Sequence, residues 1–183
     1  ELARRLVEFA LQGTRFPRVL EPAAGAGALL DAVFNERPMA QVTAVEVDPR
    51  WATELRQQRL ARGWTNDIVE ADYLTTPMAD YDVVVMNPPY EGGRDAEFLE
   101  RAMLHAPRVA ALLRVNALTG LHRHERVWSR IGIDWQMTGL AYCARRPQFL
   151  AAGVAVGSAE SDFCAVRLER GKRRRKTHVE WWT

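Results

Sequence analysis

The tetrapeptide Asn87-Pro88-Pro89-Tyr90 is the part of the sequence with the clearest chemical use. It follows residues 83–86, an apolar segment that is typical of a buried strand. The two prolines lack backbone N–H groups and hold the chain extended, so the Asn87 amide oxygen and the Pro88 carbonyl are left as paired acceptors. Such a pair suits an NH₂ group, and the Tyr90 ring offers a flat surface for stacking a base. The alternative is an ordinary proline-rich turn.

A glycine turn lies earlier in the chain, directly after another short apolar segment. Gly25 and Gly27 permit a tight turn and a close approach to a ligand, but Leu30 replaces the third glycine of a dinucleotide-binding loop. The preceding Glu21 would also repel a pyrophosphate. A ligand that carries an ammonium and a sulfonium would be attracted to this carboxylate. We therefore expect S-adenosylmethionine here, with an ordinary loop as the alternative.

Two further acidic residues follow predicted strands. Glu46, 21 positions after Gly25, is placed to hold a ribose diol, and Asp72 is placed to accept a hydrogen bond from an adenine amino group. Because the carboxyl ends of parallel strands meet at one edge of a sheet, these acids should line one crevice with Glu21.

Strands and helices alternate along most of the chain. Strands are predicted at residues 18–21, 41–46, 67–69, 81–86 and 109–115, and helices at residues 2–11, 28–34, 51–60 and 95–105. Most of these strands are apolar throughout, so both faces of the sheet must be covered. The pattern predicts an α/β domain with a parallel sheet between helices.

The last third of the chain has a different pattern. Residues 137–144 and 162–168 are strand-like with no helix between them, which predicts an antiparallel pair at one edge of the sheet. Residues 145–149 and a Gly/Ala-rich loop would join them. The sequence thus predicts one domain over residues 1–170 and a basic C-terminal tail over residues 171–183.

Composition excludes several classes of protein. With 48% hydrophobic and 26% charged residues, the chain is typical of a globular domain and not of a disordered or fibrous protein. No apolar run approaches the ~18 residues of a membrane helix. The opening residues do not resemble a signal peptide, so we expect a cytoplasmic protein without a membrane partner.

Charge is distributed unevenly along the chain. Residues 1–100 contain 17 acidic residues against 10 arginines, whereas residues 101–183 contain 15 basic residues against 6 acidic ones. This distribution predicts that the second half faces a polyanion.

Together these motifs resemble the S-adenosylmethionine-dependent amino-group methyltransferases, most closely the DNA adenine-N6 methyltransferases of bacteria and phages. The resemblance rests on residues 21–27 for the cofactor loop, residues 45–48 for the ribose, residues 71–73 for the cofactor adenine and residues 87–90 for the target amine. Residues 145–149 and 161–163 are similar to the edge hairpin of some phage-type members. The likeness spans residues 1 to about 170.

The resemblance implies a Rossmann-like fold with a mostly parallel, seven-stranded sheet and an antiparallel C-terminal edge hairpin. The implied strand order is 3-2-1-4-5-7-6. The implied reaction methylates the exocyclic N6 amine of an adenine that is flipped out of duplex DNA. The implied catalytic residues are Asn87, Pro88, Pro89 and Tyr90, and the implied cofactor contacts are Glu21, Ala23, Gly25, Gly27, Glu46, Asp72, Tyr73 and Asn87.

The sequence departs from many members of this family because it has no room for a target-recognition domain. Only 15 positions separate Asp72 from Asn87, and 15 residues follow Leu168. Sequence readout would then come from residues 91–94 and 116–134, from the tail, or from another subunit. That other subunit would be either a separate specificity subunit or a second copy of this chain in a homo-oligomer.

Three other functions fit the same motifs. A release-factor glutamine methyltransferase uses the tetrapeptide on a side-chain amide, although the Glu21-Pro22 loop and the basic second half favour nucleic acid. The second alternative is methylation of a base in RNA. The third alternative is not an enzyme: the chain would bind the cofactor as an inactive subunit of a larger complex.

Several other residues have structural explanations. Residues 122–125 predict the basic start of a helix and not a metal cluster, because adjacent side chains point apart, and no metal is expected. Trp128 and Trp135 are expected to anchor a loop or the core. Cys143 and Cys164 are expected to be free buried thiols.

Overall fold

A computed structural model describes the chain except for residues 16, 65, 148, 152–153, 157–160 and 172–175. The described helices are α1 (Leu2–Leu11), α2 (Ala28–Glu36), α3 (Pro49–Arg62), α4 (Arg94–His105) and α5 (Leu121–Arg126). The described strands are β1 (Arg18–Glu21), β2 (Gln41–Glu46), β3 (Asn66–Glu70), β4 (Val83–Met86), β5 (Arg108–Arg114), β6 (Trp135–Cys143), β7 (Phe149–Ala151), β8 (Val154–Val156), β9 (Phe163–Arg170) and β10 (His178–Trp182). None of the described helices has the length and apolar character needed to cross a bilayer.

Eight of these strands form one sheet in the order β10-β6-β9-β5-β4-β1-β2-β3. The pairs from β3 to β5 are parallel, whereas β9 is antiparallel to both β5 and β6. The α/β class is confirmed, and the implied order holds because β9 occupies the place of strand 7. The sheet has eight strands, however, and not seven. The β6–β9 pair consequently does not lie at the edge.

The additional edge strand, β10, comes from the segment predicted to be a separate tail. It pairs in parallel with β6, and its Trp182 ring is buried 5.6 Å from the Phe9 ring of α1. Burial of a large aromatic ring favours the strand over a free tail. The preceding basic run, a candidate phosphate contact, falls largely at residues 172–175, which lie outside the described residues.

The connection between β6 and β9 also differs from the prediction. Part of the segment predicted as a Gly/Ala-rich loop forms a small antiparallel hairpin in which β7 pairs with β8. Short strands of three residues carry too little periodicity to be recognised in such a segment.

Helices cover the sheet on both faces, and β4, which leads into Asn87, is buried between them. Val83 and Val85 pack in the cluster that contains α1 and α2, whereas Val84 and Met86 pack in the cluster beneath α4. All four side chains are buried. Full burial of one such side chain stabilises a protein by about 1.5–3 kcal/mol. The strand is therefore firmly held, and Asn87 follows it directly.

Candidate active site

The predicted site residues lie at the carboxyl ends of four adjacent parallel strands. β1 ends at Glu21, β2 ends at Glu46, Asp72 follows β3 by two residues, and Asn87 follows β4. The chain passes from β1 to β2 and β3 on one side and then returns to β4 on the other side of β1. This reversal of strand order is where ligands bind in open α/β sheets.

The glycine turn connects β1 to α2 at this edge. Gly25 and Gly27 have positive φ angles of 50° and 84°, and the Ala24 N–H donates to the Val45 carbonyl at 3.0 Å. A Cβ atom on Gly27 would lie 2.8 Å from the Leu55 side chain, so a larger residue here would force Leu55 to move. A Cβ atom on Gly25 would meet nothing within 4 Å. The space beside Gly25 is therefore open for a ligand to approach the backbone.

Glu46 links this turn to the end of β2. One carboxylate oxygen accepts from the Gly25 N–H at 2.7 Å, and the other accepts from the Asp48 N–H at 2.8 Å. Each oxygen has a second lone pair available for a ribose hydroxyl. The carboxylate thus shapes the glycine turn as well as offering the predicted grip on a diol, a double role that the sequence does not reveal.

Glu21 is almost completely buried at the end of β1. Its Oε2 atom has no hydrogen-bond partner among the described residues. Burial, and secondarily the Glu46 charge, raises the pKa of Glu21 well above its usual 4.5. An unpartnered buried carboxyl beside a second acid favours a cationic ligand.

The buried carboxyl predicts a pH-dependent change in stability. At pH values below 4.5, Glu21 is protonated in both the folded and the unfolded chain. Between pH 4.5 and the raised pKa of the folded state, only the unfolded chain releases this proton. Stability from Glu21 is therefore lost as pH rises through this window. We expect Glu21→Gln to gain stability relative to the parent as pH rises. Urea unfolding from pH 4.5 to 8 measures this difference, and a constant difference would contradict the prediction.

Asp72 and Ala23 lie at the same edge. The Asp72 Oδ1 atom accepts from the Leu74 N–H at 2.9 Å and lies 3.6 Å from Arg94, while the side chain stays partly exposed. Ala23, in the glycine turn, is partly buried. Asp72 is therefore held by its own turn and remains accessible to a donor such as an adenine amino group.

Tyr73 differs from the prediction, because its side chain is part of the core. Only 1% of its surface is exposed, and its ring lies 5.1 Å from the Phe98 ring of α4, with the Arg101 guanidinium 5.3 Å from its centroid. Burial raises the pKa of its hydroxyl. An aromatic ring gains more from this packing than from an exposed crevice. We therefore remove the Tyr73 side chain from the candidate cofactor contacts.

The Asn-Pro-Pro-Tyr tetrapeptide continues directly from β4, with Pro88 buried and the other three residues partly buried. The Tyr90 hydroxyl donates to the Asn87 amide oxygen and lies 3.2 Å from the Leu112 carbonyl of β5. Burial raises the pKa of Tyr90, so the hydroxyl keeps its proton at neutral pH. In this arrangement the Asn87 amide oxygen points toward the Tyr90 hydroxyl and keeps a second lone pair as an acceptor.

The Tyr90 ring has neighbours that the sequence did not predict. The Phe163 ring of β9 lies edge-on at 5.5 Å, and the Arg114 guanidinium at the end of β5 lies 5.1 Å from the Tyr90 centroid. The predicted stacking surface is thus already in contact with a planar cation. Arg114 follows an apolar strand just as the acids do, and extending the strand-end rule to basic residues would have found it.

The loop over residues 116–134, predicted to read sequence, is fixed to α4. Arg123 of α5 donates two hydrogen bonds, of 2.9 and 3.1 Å, to the buried Asp95, and Arg126 pairs with Glu100. The helix predicted at residues 122–125 is present, with its side chains on the surface. Trp128 donates to the Ala117 carbonyl, which confirms it as a loop anchor.

Three remaining side chains behave largely as predicted. Trp135 is fully buried in the core beneath α4. Cys164 is free and buried, and Cys143 is free but only partly buried. Burial raises the pKa of both thiols, which makes them poor nucleophiles.

Comparison with known protein families decides the assignment. The family model named Methyltransferase small domain matches residues 3–112, which is more than half of the chain. The chain belongs to this family. The match runs from α1 into β5 and so contains the carboxyl ends of β1, β2, β3 and β4, which carry the predicted site residues.

Two curated relatives of this methyltransferase domain belong to different kinds of methyltransferase by name. The type II methyltransferase M.XamI of Xanthomonas campestris pv. amaranthicola is 33% identical over 119 residues, covering 62% of this chain and 23% of that protein. The release factor glutamine methyltransferase of Bordetella pertussis is 35% identical over 127 residues, covering 64% of this chain and 46% of that protein. The domain therefore spans less than half the length of either relative.

Solved structures confirm the fold of the methyltransferase domain. A methyltransferase subunit of a type I restriction-modification system from Streptococcus thermophilus matches with a TM-score of 0.69 and 16% identity, covering 92% of this chain and 43% of that one. A dimethyladenosine transferase from Plasmodium falciparum matches with a TM-score of 0.68 and 17% identity, covering 92% and 61%.

Family and fold make S-adenosylmethionine the cofactor of this methyltransferase domain. The residues present fit this group. The unpartnered, buried Glu21 suits a cation, the Glu46 oxygens suit a diol, and the open space beside Gly25 admits a ligand to the backbone.

Proposed function

We propose that the domain transfers a methyl group from S-adenosylmethionine to the exocyclic N6 amine of adenine in DNA. The observation that carries the proposal is the position of Asn87, which lies at the edge shared with Glu21 and Glu46 and has its amide oxygen oriented by Tyr90. The similarity to a type II methyltransferase supports DNA as the substrate.

The proposed mechanism needs few groups from the chain. When bound, the cofactor supplies an activated methyl group. The Asn87 amide oxygen and the Pro88 carbonyl would accept hydrogen bonds from the two N–H groups of the target amine, which directs the nitrogen lone pair at the methyl-donor side of the crevice. The nitrogen would form its new bond to the methyl carbon as the bond between that carbon and the sulfonium breaks, and one of the two amine protons would then pass to solvent. Tyr90 stacks on the flipped base, and Glu21, Glu46 and Asp72 hold the cofactor. This role for Tyr90 requires the ring to exchange its present contact with Arg114 for the base.

The surface charges give weaker support than the sequence predicts. Arg123 and Arg126, both in the basic second half, pair with Asp95 and Glu100 from the acidic first half. These pairs neutralise charges that the composition counts as available for a polyanion. Affinity for nucleic acid should therefore depend on the arginines that remain unpaired near the crevice.

Release-factor glutamine methylation is the second candidate. Four curated relatives are release factor glutamine methyltransferases, and a glutamine amide presents the same NH₂ group to Asn87 and Pro88. RNA methylation is a third candidate, and an inactive role in a larger assembly is a fourth. The type I methyltransferase subunits among the structural neighbours support a partner subunit for this protein as well.

Methyl transfer to three substrates tests the proposal. Unmethylated duplex DNA, ribosomal RNA and a release factor are incubated separately with the protein and labelled S-adenosylmethionine. We expect label on DNA, recovered as N6-methyladenine after hydrolysis. Label only on the release factor would favour glutamine methylation, label only on RNA would favour an RNA enzyme, and no label would favour the inactive subunit.

Substitution of Tyr90 tests the stacking role. Tyr90→Ala should weaken capture of the flipped base by about 1–3 kcal/mol, the range measured for base–aromatic stacking. Tyr90→Phe keeps the ring and should retain most of this affinity, although it loses the bond to Asn87. The measurement is KM on an oligonucleotide with a mapped target adenine. Equal losses in both variants would assign the effect to the hydroxyl and not to the ring.

A further inference from the structure

Arg114 is the last residue of β5 and lies beside the catalytic tetrapeptide. β5 is parallel to β4 with Met86 opposite Ala111, so Arg114 reaches the same edge of the sheet as Asn87. Its guanidinium carbon lies 5.1 Å from the centroid of the Tyr90 ring. The side chain therefore occupies space next to the surface on which a target base would stack.

This guanidinium has no anionic partner in the part of the chain that the structure describes. Its Nε atom is buried and makes no hydrogen bond there, and no carboxylate pairs with it. Other partly buried arginines are satisfied: Arg123 binds Asp95, and Arg101 donates to two backbone carbonyls. A partly buried charge without an acceptor is costly, and such groups in native proteins call for an explanation.

We propose that Arg114 binds a phosphodiester group next to the target nucleotide, an inference that rests on the proposed nucleic-acid substrate. The guanidinium lies 5.1 Å from the Tyr90 centroid, within the range of a cation–π contact, and this contact holds it beside the ring in the free protein. Entry of the base displaces it. The nearest anions on a flipped nucleotide are its own flanking phosphates, which match the paired donors of arginine.

The exchange would couple base capture to backbone recognition. Tyr90 gives up a cation and gains a base, while Arg114 gives up a weak contact and gains a charge-assisted pair. A glutamine side chain in a protein carries no such phosphate. Arg114 would therefore favour a nucleic-acid target over a release factor without contacting the amine itself.

The test uses an oligonucleotide whose methylated adenine has been mapped and in which the two flanking phosphates are replaced by neutral methylphosphonates. The KM of the parent protein should be about 10-fold higher or more on this substrate than on normal DNA. This is the effect of losing one hydrogen bond to a charged group. The KM of Arg114→Gln should be raised by a similar factor on normal DNA, and it should rise little further on the neutral oligonucleotide. Arg114→Lys should retain part of the affinity because it keeps the charge.

Arg59→Gln is the matched control, since Arg59 is exposed on α3 and has no ion pair among the described residues. In duplex binding without cofactor, Arg114→Gln should reduce the slope of log affinity against log salt by about one unit, and Arg59→Gln should leave it unchanged. The thermal unfolding midpoint of Arg114→Gln should be equal to or higher than that of the parent, because a costly charge without an acceptor is removed. A lower midpoint would indicate a structural role.

The outcomes separate this inference from the proposed function. If DNA is methylated but Arg114→Gln matches Arg59→Gln in KM and in salt slope, the phosphate contact is wrong and the methylation stands. If the parent protein neither binds nor methylates DNA, the proposed function fails and the Arg114 inference falls with it.

Discussion

Asn87→Ala should reduce turnover by about 10²- to 10³-fold while leaving most of the cofactor affinity intact. The substitution removes the amide oxygen that would accept from the target amine, and loss of one preorganised polar contact to a reacting group costs about 10²–10³ in rate. The fold should persist, because Asn87 is only partly buried and Tyr90 retains the Leu112 carbonyl as an acceptor. Turnover on DNA and calorimetry with S-adenosylmethionine measure the two effects.

Two further variants make this test specific. Asn87→Asp keeps an acceptor oxygen at the same position and should retain more activity than Asn87→Ala. Asn35→Ala makes the same chemical change at an exposed position at the end of α2 and should have no effect. Near-normal methylation by Asn87→Ala would show that the amine is held by other groups.

Glu46→Ala should weaken S-adenosylmethionine binding by about 2–3 kcal/mol, or about 30- to 150-fold, because two charge-assisted hydrogen bonds to the ribose are lost. The structure adds a second reason for the loss. The same carboxylate holds the backbone N–H groups of Gly25 and Asp48, so the free protein should also lose stability as the glycine turn loosens. Calorimetry and urea unfolding measure the two losses separately.

Glu70→Ala is the control for this variant. Glu70 ends β3 directly opposite Glu46, but its carboxylate is partly exposed and pairs with Arg56. Removal of an exposed ion pair costs about 0–1 kcal/mol and should not affect the cofactor. Unchanged cofactor affinity in Glu46→Ala would remove Glu46 from the site.

Much of the fold is predictable from the sequence because its central strands are apolar on both faces. β1, β2, β4 and β5 each appear as short apolar segments, and the glycine turn and the proline tetrapeptide mark where two of them end. The strand-end rule then places Glu21, Glu46 and Asn87 at one edge without knowledge of any contact. Residues with a strong local signal and a position fixed by topology are therefore predictable.

The errors arise where tertiary packing decides the outcome. Tyr73 follows a strand like the site acids, but its ring packs beneath α4 because the core offers it an aromatic neighbour. β10 follows a basic run that obscures its periodicity, and its place in the sheet depends on contacts such as that between the Trp182 and Phe9 rings. Neither partner is close in sequence, so local patterns do not reveal these contacts.

The orientation of side chains at the site is also not encoded in spacing. The sequence places Glu46 near Gly25 but does not indicate that its oxygens bind the backbone of the turn. It likewise places Arg114 within a predicted strand, over residues 109–115, but does not show the guanidinium beside Tyr90. Such details depend on which rotamers the surrounding core allows.

The pairing of β9 with β5 affects how the chain can fold. Every residue of β5, from Arg108 to Arg114, pairs with one from Glu169 back to Phe163, although the family match ends at residue 112. During synthesis the family-matched portion is complete long before β9 emerges, and until then one side of β5 presents unpaired N–H and C=O groups. Non-local pairing of this kind slows folding, and an exposed apolar edge invites association between nascent chains. Until β9 docks, we therefore expect the open side of β5 to be the part of the sheet most prone to association.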